Sequence, residues 1–403
     1  MELKEGDKKT DVGVIPIDWE EKTINHVCTL INGRGFKPHE WRKRGLPIIR
    51  IQNLNGSDEF NFYEGTYDKK IEVEKGQLLF AWSGSRGTSF GPHVWNGIKG
   101  VLNYHTWKVD VKEEVINKKF FLFALKQLTK HIEDNAHGAS ALVHTQKWEM
   151  EGFKFACPPA LSEQKAIAQV LSDTDALIQA IEKKIAKKKL IKKGVMQKMF
   201  TPRKGWATKS LPKVCWFQEG PGLRNWQFTS TGIKVINVTN LVNGYLDLSR
   251  TDRHISLNEF DRMYKHFEID EGDIVMASSG NSYSKVSIVR KQDLPLLMNT
   301  SVIRFKPLQG LIYNWLLIFL KSNLFKNQID LLITGGAQPN FGPFHLNKIE
   351  ISFPIDIKEQ EEISQIIIDT DKELEKLEQK LAKYQEVKQG MMQQLLTGKI
   401  RLL

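Results

Sequence analysis

Six basic side chains crowd one short stretch, Arg34, Lys37, Arg42, Lys43, Arg44 and Arg50, opposed within it only by Glu40. Such a run can neutralise phosphates, and its guanidinium groups can fork onto guanine; Gln52 just beyond suits adenine. The turn from Ser83 through Ser85 and Arg86 to Thr88 could bring backbone close to DNA and present Arg86. Later in the chain the same donor and acceptor types recur as Arg224-Asn225, Asn237 with Thr239, Asn281-Ser282-Tyr283 with Lys285, and Gln338 with Asn340. Catalytic chemistry finds no comparable cluster. The chain has no Walker A Gly-Lys-Ser/Thr, no His-Glu-x-x-His, no Cys-x-x-Cys and no Asn-Pro-Pro-aromatic tetrapeptide. Cys157-Pro-Pro-Ala has the prolines alone, and the carboxylate-x-Lys spacings at Glu20-Glu21-Lys22 and Asp68-Lys69-Lys70 are common by chance. Cys28, Cys157 and Cys215 make neither a bridge pattern nor a metal quartet. A non-catalytic binding protein without a cofactor is expected.

The elements that must carry these residues are legible as an internal repeat. Gly45-Leu-Pro-Ile-Ile-Arg-Ile-Gln-Asn53-Leu54 aligns with Gly232-Ile-Lys-Val-Ile-Asn-Val-Thr-Asn240-Leu241 at an offset of 187, which Trp19 and Trp206 share. From Gly76 and Gly272 onward the offset is 196. It holds through Glu163-Gln164 and Glu359-Gln360, Asp173-Thr174-Asp175 and Asp369-Thr370-Asp371, and Thr201 and Thr397. Each half has one plan, a globular body followed by a long helix. Residues 1–160 and 205–356 are the bodies, and 161–204 and 357–403 the helices.

Within the bodies, short Ile-, Val- and Phe-rich runs such as Leu46–Ile51, Gln77–Trp82, Lys234–Val238 and Asp273–Ala277 read as strands between turn-forming clusters. Apolar recurrence every three to four residues gives helices at Asn117–Ile132 and Leu311–Leu332. The class is α+β. Matched Asn53 and Asn240 suit a common turn better than unlike bases. Gly84 and Gly280 serve backbone geometry, and Trp82, Trp95 and Trp226 are expected in the core.

The long helices share a four-three seam. The first carries it through Ile167, Leu171, Ile178, Ile181 and Ile185, the second through Ile367, Leu374, Leu377, Leu381 and Tyr384, with Thr174 and Thr370 on matching rungs. Both helices join the second body, so they pair antiparallel in a coiled coil with pseudo-two-fold symmetry. Net charge is +11 over 403 residues, yet the bodies are nearly neutral, at +2 and +3. The first helix holds +7 and the second −1, which suits the pairing. The lysine face from Lys183 to Lys193 has three competing uses: a solvated face, a partner for the acidic helix, or a strip over DNA.

Pro158-Pro159-Ala-Leu-Ser-Glu163-Gln164, Leu171-Ser-Asp-Thr-Asp175 and the stretch from Lys388 to Arg401 carry a family resemblance. The sequence resembles a specificity subunit of type I DNA restriction–modification systems over essentially its whole length. The resemblance implies two target recognition domains, each reading half of a split, asymmetric site on double-stranded DNA. It also implies helices that separate the domains and dock two methyltransferase subunits, which two restriction–translocase subunits can join. Half-sites about one turn apart, ~10 bp, suit such pairs. Ala81-Trp82-Ser83 and Ala277-Ser278-Ser279 lack the Arg found there in many members, so no base-reading Arg is carried over to that strand end. A charged N-terminus and no apolar run near the roughly 20 residues of a membrane span point to the cytoplasm. The alternative is a protein–protein scaffold with two diverged interaction domains on a coiled coil, with a DNA-modifying enzyme a more distant third.

Overall fold

A computed structural model describes residues 5–137, 142–333 and 339–402. It divides into two compact units, one of residues 1–184 with 378–403, the other of residues 185–377. Each unit thus combines one body with parts of both long helices, Leu161–Met199 and Ile357–Leu395.

The two bodies are built on one strand plan. In the first, an antiparallel sheet has the order Gly91–Val94, Leu78–Ala81, Thr106–Val111, Cys28–Asn32. In the second, the order is Val286–Ile288, Ile274–Ala277, Val302–Pro307, Cys215–Glu219. The central strands, Leu78–Ala81 and Ile274–Ala277, are buried throughout, as their unbroken apolar runs demand. A second sheet in each body contains one parallel pair, Leu46–Ile49 with Gly100–Leu102 and Ile233–Ile236 with Leu296–Met298. Between the matching words the second body has nine more residues than the first. Part of that segment forms the helical turns Leu257–Glu259, Phe260–Tyr264 and Lys265–Phe267.

The expected helix at Asn117–Ile132 is observed as Lys118–Asn135, with the Asn117 side chain capping its first turn. The single helix expected over Leu311–Leu332 is a correction: it is two helices, Tyr313–Leu320 and Asn323–Leu332. Ser322 breaks it, because its hydroxyl bonds the Phe319 carbonyl and caps the second helix at Phe325 N.

Buried glutamines weld each body to its helix. Gln164 Oε1 accepts from Asn117 N at 2.7 Å while its Nε2 donates to Pro158 O at 2.9 Å. Gln360 does the same with Ile312 N, Gly310 O and Pro354 O. Core packing continues the join. Ile167 and Leu171 with Leu395 and Leu396 enter the core of the first unit, and Phe200, Ile363 and Ile367 enter that of the second.

Along both long helices the seam positions are buried or half-buried and most of their neighbours are exposed. Ile178, Ile181, Ile185 and Leu374 are buried, and Leu377, Leu381 and Tyr384 half-buried. Within the first unit Lys388 pairs with Asp175 at 2.5 Å. Within the second, Lys188 pairs with Glu373 at 2.5 Å and Lys192 with Asp371. Rising numbers on one helix thus meet falling numbers on the other. The three cysteines are buried, and burial pushes their thiols up to about 12, so they stay protonated at neutral pH.

Candidate nucleic-acid interface

The four-stranded sheet of each body ends in a polar edge. In the first body the edge comprises Asn32, Asn103, Tyr104, His105 and the turn following Trp82. Gly33 makes the close seat: a Cβ there would lie 2.0 Å from Asn103 O. Gly220 repeats it, with a Cβ falling 2.4 Å from Asn299 O. Side chains at either position would push the strands apart.

In the first body a cleft of about 130 Å³ is lined by Arg50, Ile51, Gln52, Asn103, His105 and Thr106. It brings Arg50 and Gln52 together beside the sheet edge. Burial lowers the His105 pKa, so at neutral pH the imidazole is uncharged and offers one donor and one acceptor. Ser85 and Thr88 are exposed on the neighbouring turn. Arg86 is engaged elsewhere: Nη1 donates to Glu133 O at 2.8 Å, near the carboxyl end of its helix, where a cation is favoured.

The basic run does not behave as one patch. Glu40 pairs with Arg34, and Glu64 pairs with Arg44 at 3.0 Å. Arg34 also lies over Phe36 and Tyr63, and Arg50 over Trp41 with a bond to Asn61. Lys37, Arg42, Lys43 and Arg44 are exposed. Glu40 is the one acid within the run, and folding adds Glu64 from outside it.

In the second body a cleft of about 460 Å³ gathers Thr239, Asn243, Arg250, Ser282 and Lys285 among its lining residues. The sheet edge beside it carries Glu219, Thr300 and Asn340, the last through a bridge to Ser279. Arg224, Asn225, Asn281 and Asn340 are exposed. Gln338 lies outside the described residues. Tyr283 is turned to the helix Asn323–Leu332, where its hydroxyl donates to Asp330 at 2.6 Å. Asn237 caps Thr239, accepting from both its N–H and its hydroxyl.

Asn53 and Asn240 each brace a turn. Asn53 accepts from Arg50 N and donates to the Ser57 and Glu59 carbonyls; Asn240 accepts from Asn237 N and donates to Asp247 O. Both are buried. Trp95 is buried and Trp82 half-buried, but Trp226 is 80% exposed, against the expectation of a core residue. It projects from the turn Asn225–Gln227, which Gln227 closes by accepting from Arg224 N. His105, Glu219 and Arg250 were not singled out by sequence. Only strand pairing and folding bring them to these sites. Among the described residues no group of three His, Cys, Asp or Glu side chains could hold a metal ion.

The sequence pattern of the type I restriction modification DNA specificity domain matches twice, over residues 16–190 and 203–388. The chain belongs to that family. Membership makes it a DNA-recognition subunit of a restriction–modification system, without catalysis of its own. A specificity subunit of the enzyme MjaVIII from Methanocaldococcus jannaschii is 26% identical over 412 residues, spanning 96% of this chain and 94% of that one. The EcoBI specificity subunit of Escherichia coli is 26% identical over 326 residues, 72% of this chain and 66% of its own length. In fold, the chain is similar to the S subunit from M. genitalium, with a TM-score of 0.62 and 15% identity over 98% of each chain. No helix among the described residues is long and apolar enough to cross a membrane.

Proposed function

We propose that this specificity subunit reads a split, asymmetric site on double-stranded DNA. Residues 1–160 form the domain for one half and 205–356 the domain for the other. The observation that carries the reading is a shared seat with unlike readers. Gly33 and Gly220 repeat the same close approach, while Arg50 and Gln52 face the edge in one body where Asn237 and Thr239 stand in the other. Common framing with diverged edge residues suits two different half-sites. In this reading Arg42, Lys43 and Arg44 hold phosphates, while Gln52, Ser85, Thr88, Asn281, Ser282, Lys285 and Asn340 supply groups for bases.

The helices 161–204 and 357–403 act as an antiparallel coiled-coil spacer and dock two methyltransferase subunits, to which two restriction–translocase subunits can add, all in the cytoplasm. Footprinting the full chain with its methyltransferase subunits tests the proposal. Two protected patches separated by unprotected base pairs are expected; absence of any footprint would favour the protein–protein scaffold. Exchanging body one for an unrelated one should change a single half-site.

A further inference from the structure

One edge residue of the second body has lost its internal partner. In the first body the outer strand ends at Asn32, whose Oδ1 accepts from Trp107 Nε1 at 2.5 Å across the strand pair. In the second body the strand in the same place ends at Glu219, and the residue opposite it is Ile303. Isoleucine has no donor to give. Glu219 is half-buried, and burial raises its carboxyl pKa. Among the described residues its one side-chain hydrogen bond is a long one, from Thr300 Oγ1 at 3.5 Å. No Lys, Arg or His among them lies within ion-pair distance.

The surroundings are those of the proposed reading edge. Ser279 bridges Asn340, Phe341 N donates to Ser278 O, and Gly342 leaves open the space that a Cβ would occupy 3.6 Å from the Glu219 carboxylate. A partly desolvated carboxylate whose one side-chain donor is a hydroxyl 3.5 Å away is poorly satisfied, and a ligand that brings an N–H removes that cost.

We infer that Glu219 reads cytosine, accepting a hydrogen bond from its exocyclic N4 amino group in the major groove of the second half-site. Guanine O6 and N7 and thymine O4 are acceptors and would repel the carboxylate. Adenine offers N6–H beside the acceptor N7, so it is a poorer fit than cytosine, whose neighbouring edge carries only C–H. Matching Asn32 reads nothing comparable, because its acceptor is held by Trp107.

This inference rests on the split-target reading, and one experiment separates the two. The full chain with its methyltransferase subunits is used to select binding sites from randomised duplexes, which are then sequenced. Glu219→Gln and Glu219→Asn are selected in parallel. One G·C pair in the second half-site is expected to lose about tenfold of its preference for cytosine over adenine in both variants. Every other position, and the whole first half-site, is expected to be retained, which also shows that the variants fold. An unchanged cytosine preference, or loss spread over the whole second half-site with no position singled out, overturns the inference and leaves the split target standing. Failure of the wild-type chain to select any split site overturns the reading beneath it as well.

Discussion

Asn117 donates its backbone N–H to the buried side chain of Gln164 at 2.7 Å, tying the start of a body helix to the long helix. Gln360 makes the same tie to Ile312 N at 3.0 Å. These are the two glutamines of the repeated Glu-Gln word, and each also takes up a strand-end proline carbonyl.

Replacing Gln164 or Gln360 with Met keeps the volume but strands two or more buried backbone groups. Each change is expected to destabilise its unit by about 1–3 kcal/mol, the cost of leaving buried polar groups unpaired. Urea unfolding followed by circular dichroism reads this as an earlier midpoint at unchanged slope. An unmoved midpoint would show that water replaces the amide without loss.

Seam and ion pairs differ in weight. Ile367 is 2% exposed, so Ile367→Ala is expected to cost about 2–5 kcal/mol through lost burial and the cavity left behind. Lys188 and Glu373 are partly solvated, and a double-mutant cycle on them is expected to give a coupling of only ~0.2–1 kcal/mol. Equal values in the same denaturation assay would contradict this ranking.

Acid should loosen both units. The Arg401 hydrogen bond holds the Asp18 carboxyl below its ordinary range, and Arg203, with Trp206 Nε1, does so for Glu359. A depressed folded pKa contributes stability above the unfolded value, and that contribution is lost as pH falls through the folded value. Thermal midpoints are therefore expected to be flat above roughly pH 5 with respect to these two groups and to fall below about pH 4. The double change Arg401→Met with Arg203→Met should shallow the acid fall while lowering the neutral-pH midpoint. A parallel acid curve in the double variant would assign the loss to other carboxylates.

Salt separates phosphate holders from base readers. Changing Arg42, Lys43 and Arg44 to Gln is expected to reduce the slope of log affinity against log salt by about 0.9 for each phosphate contact removed. The selected sequence should stay the same. A changed sequence at unaltered slope would instead make these residues readers of bases.

Much of the frame was legible because the same words recur under the same physical demands. Glu163-Gln164 and Glu359-Gln360 recur because a buried amide must satisfy the same backbone groups twice, and the seam recurs because both helices bury one stripe. The reading edge was less legible. Arg86 looks free on its turn until the carboxyl end of a helix 47 residues away takes its guanidinium. Tyr283 looks available until Asp330 claims its hydroxyl. Trp226 is exposed although tryptophan usually is not, because the turn that carries it is closed by Gln227 and leaves the indole outside. Glu219 gave no sequence signal: its lack of a cross-strand donor follows from Ile303, which only strand pairing sets opposite it.

The close seats at Gly33 and Gly220 carry a lesson about how such a protein can change. With room for hydrogen alone against Asn103 and Asn299, neither position tolerates a side chain, whereas the residues just before them on the same rim, Asn32 and Glu219, already differ between the bodies. New preferences can therefore be acquired by editing the rim one substitution at a time, without refitting the sheet beneath it.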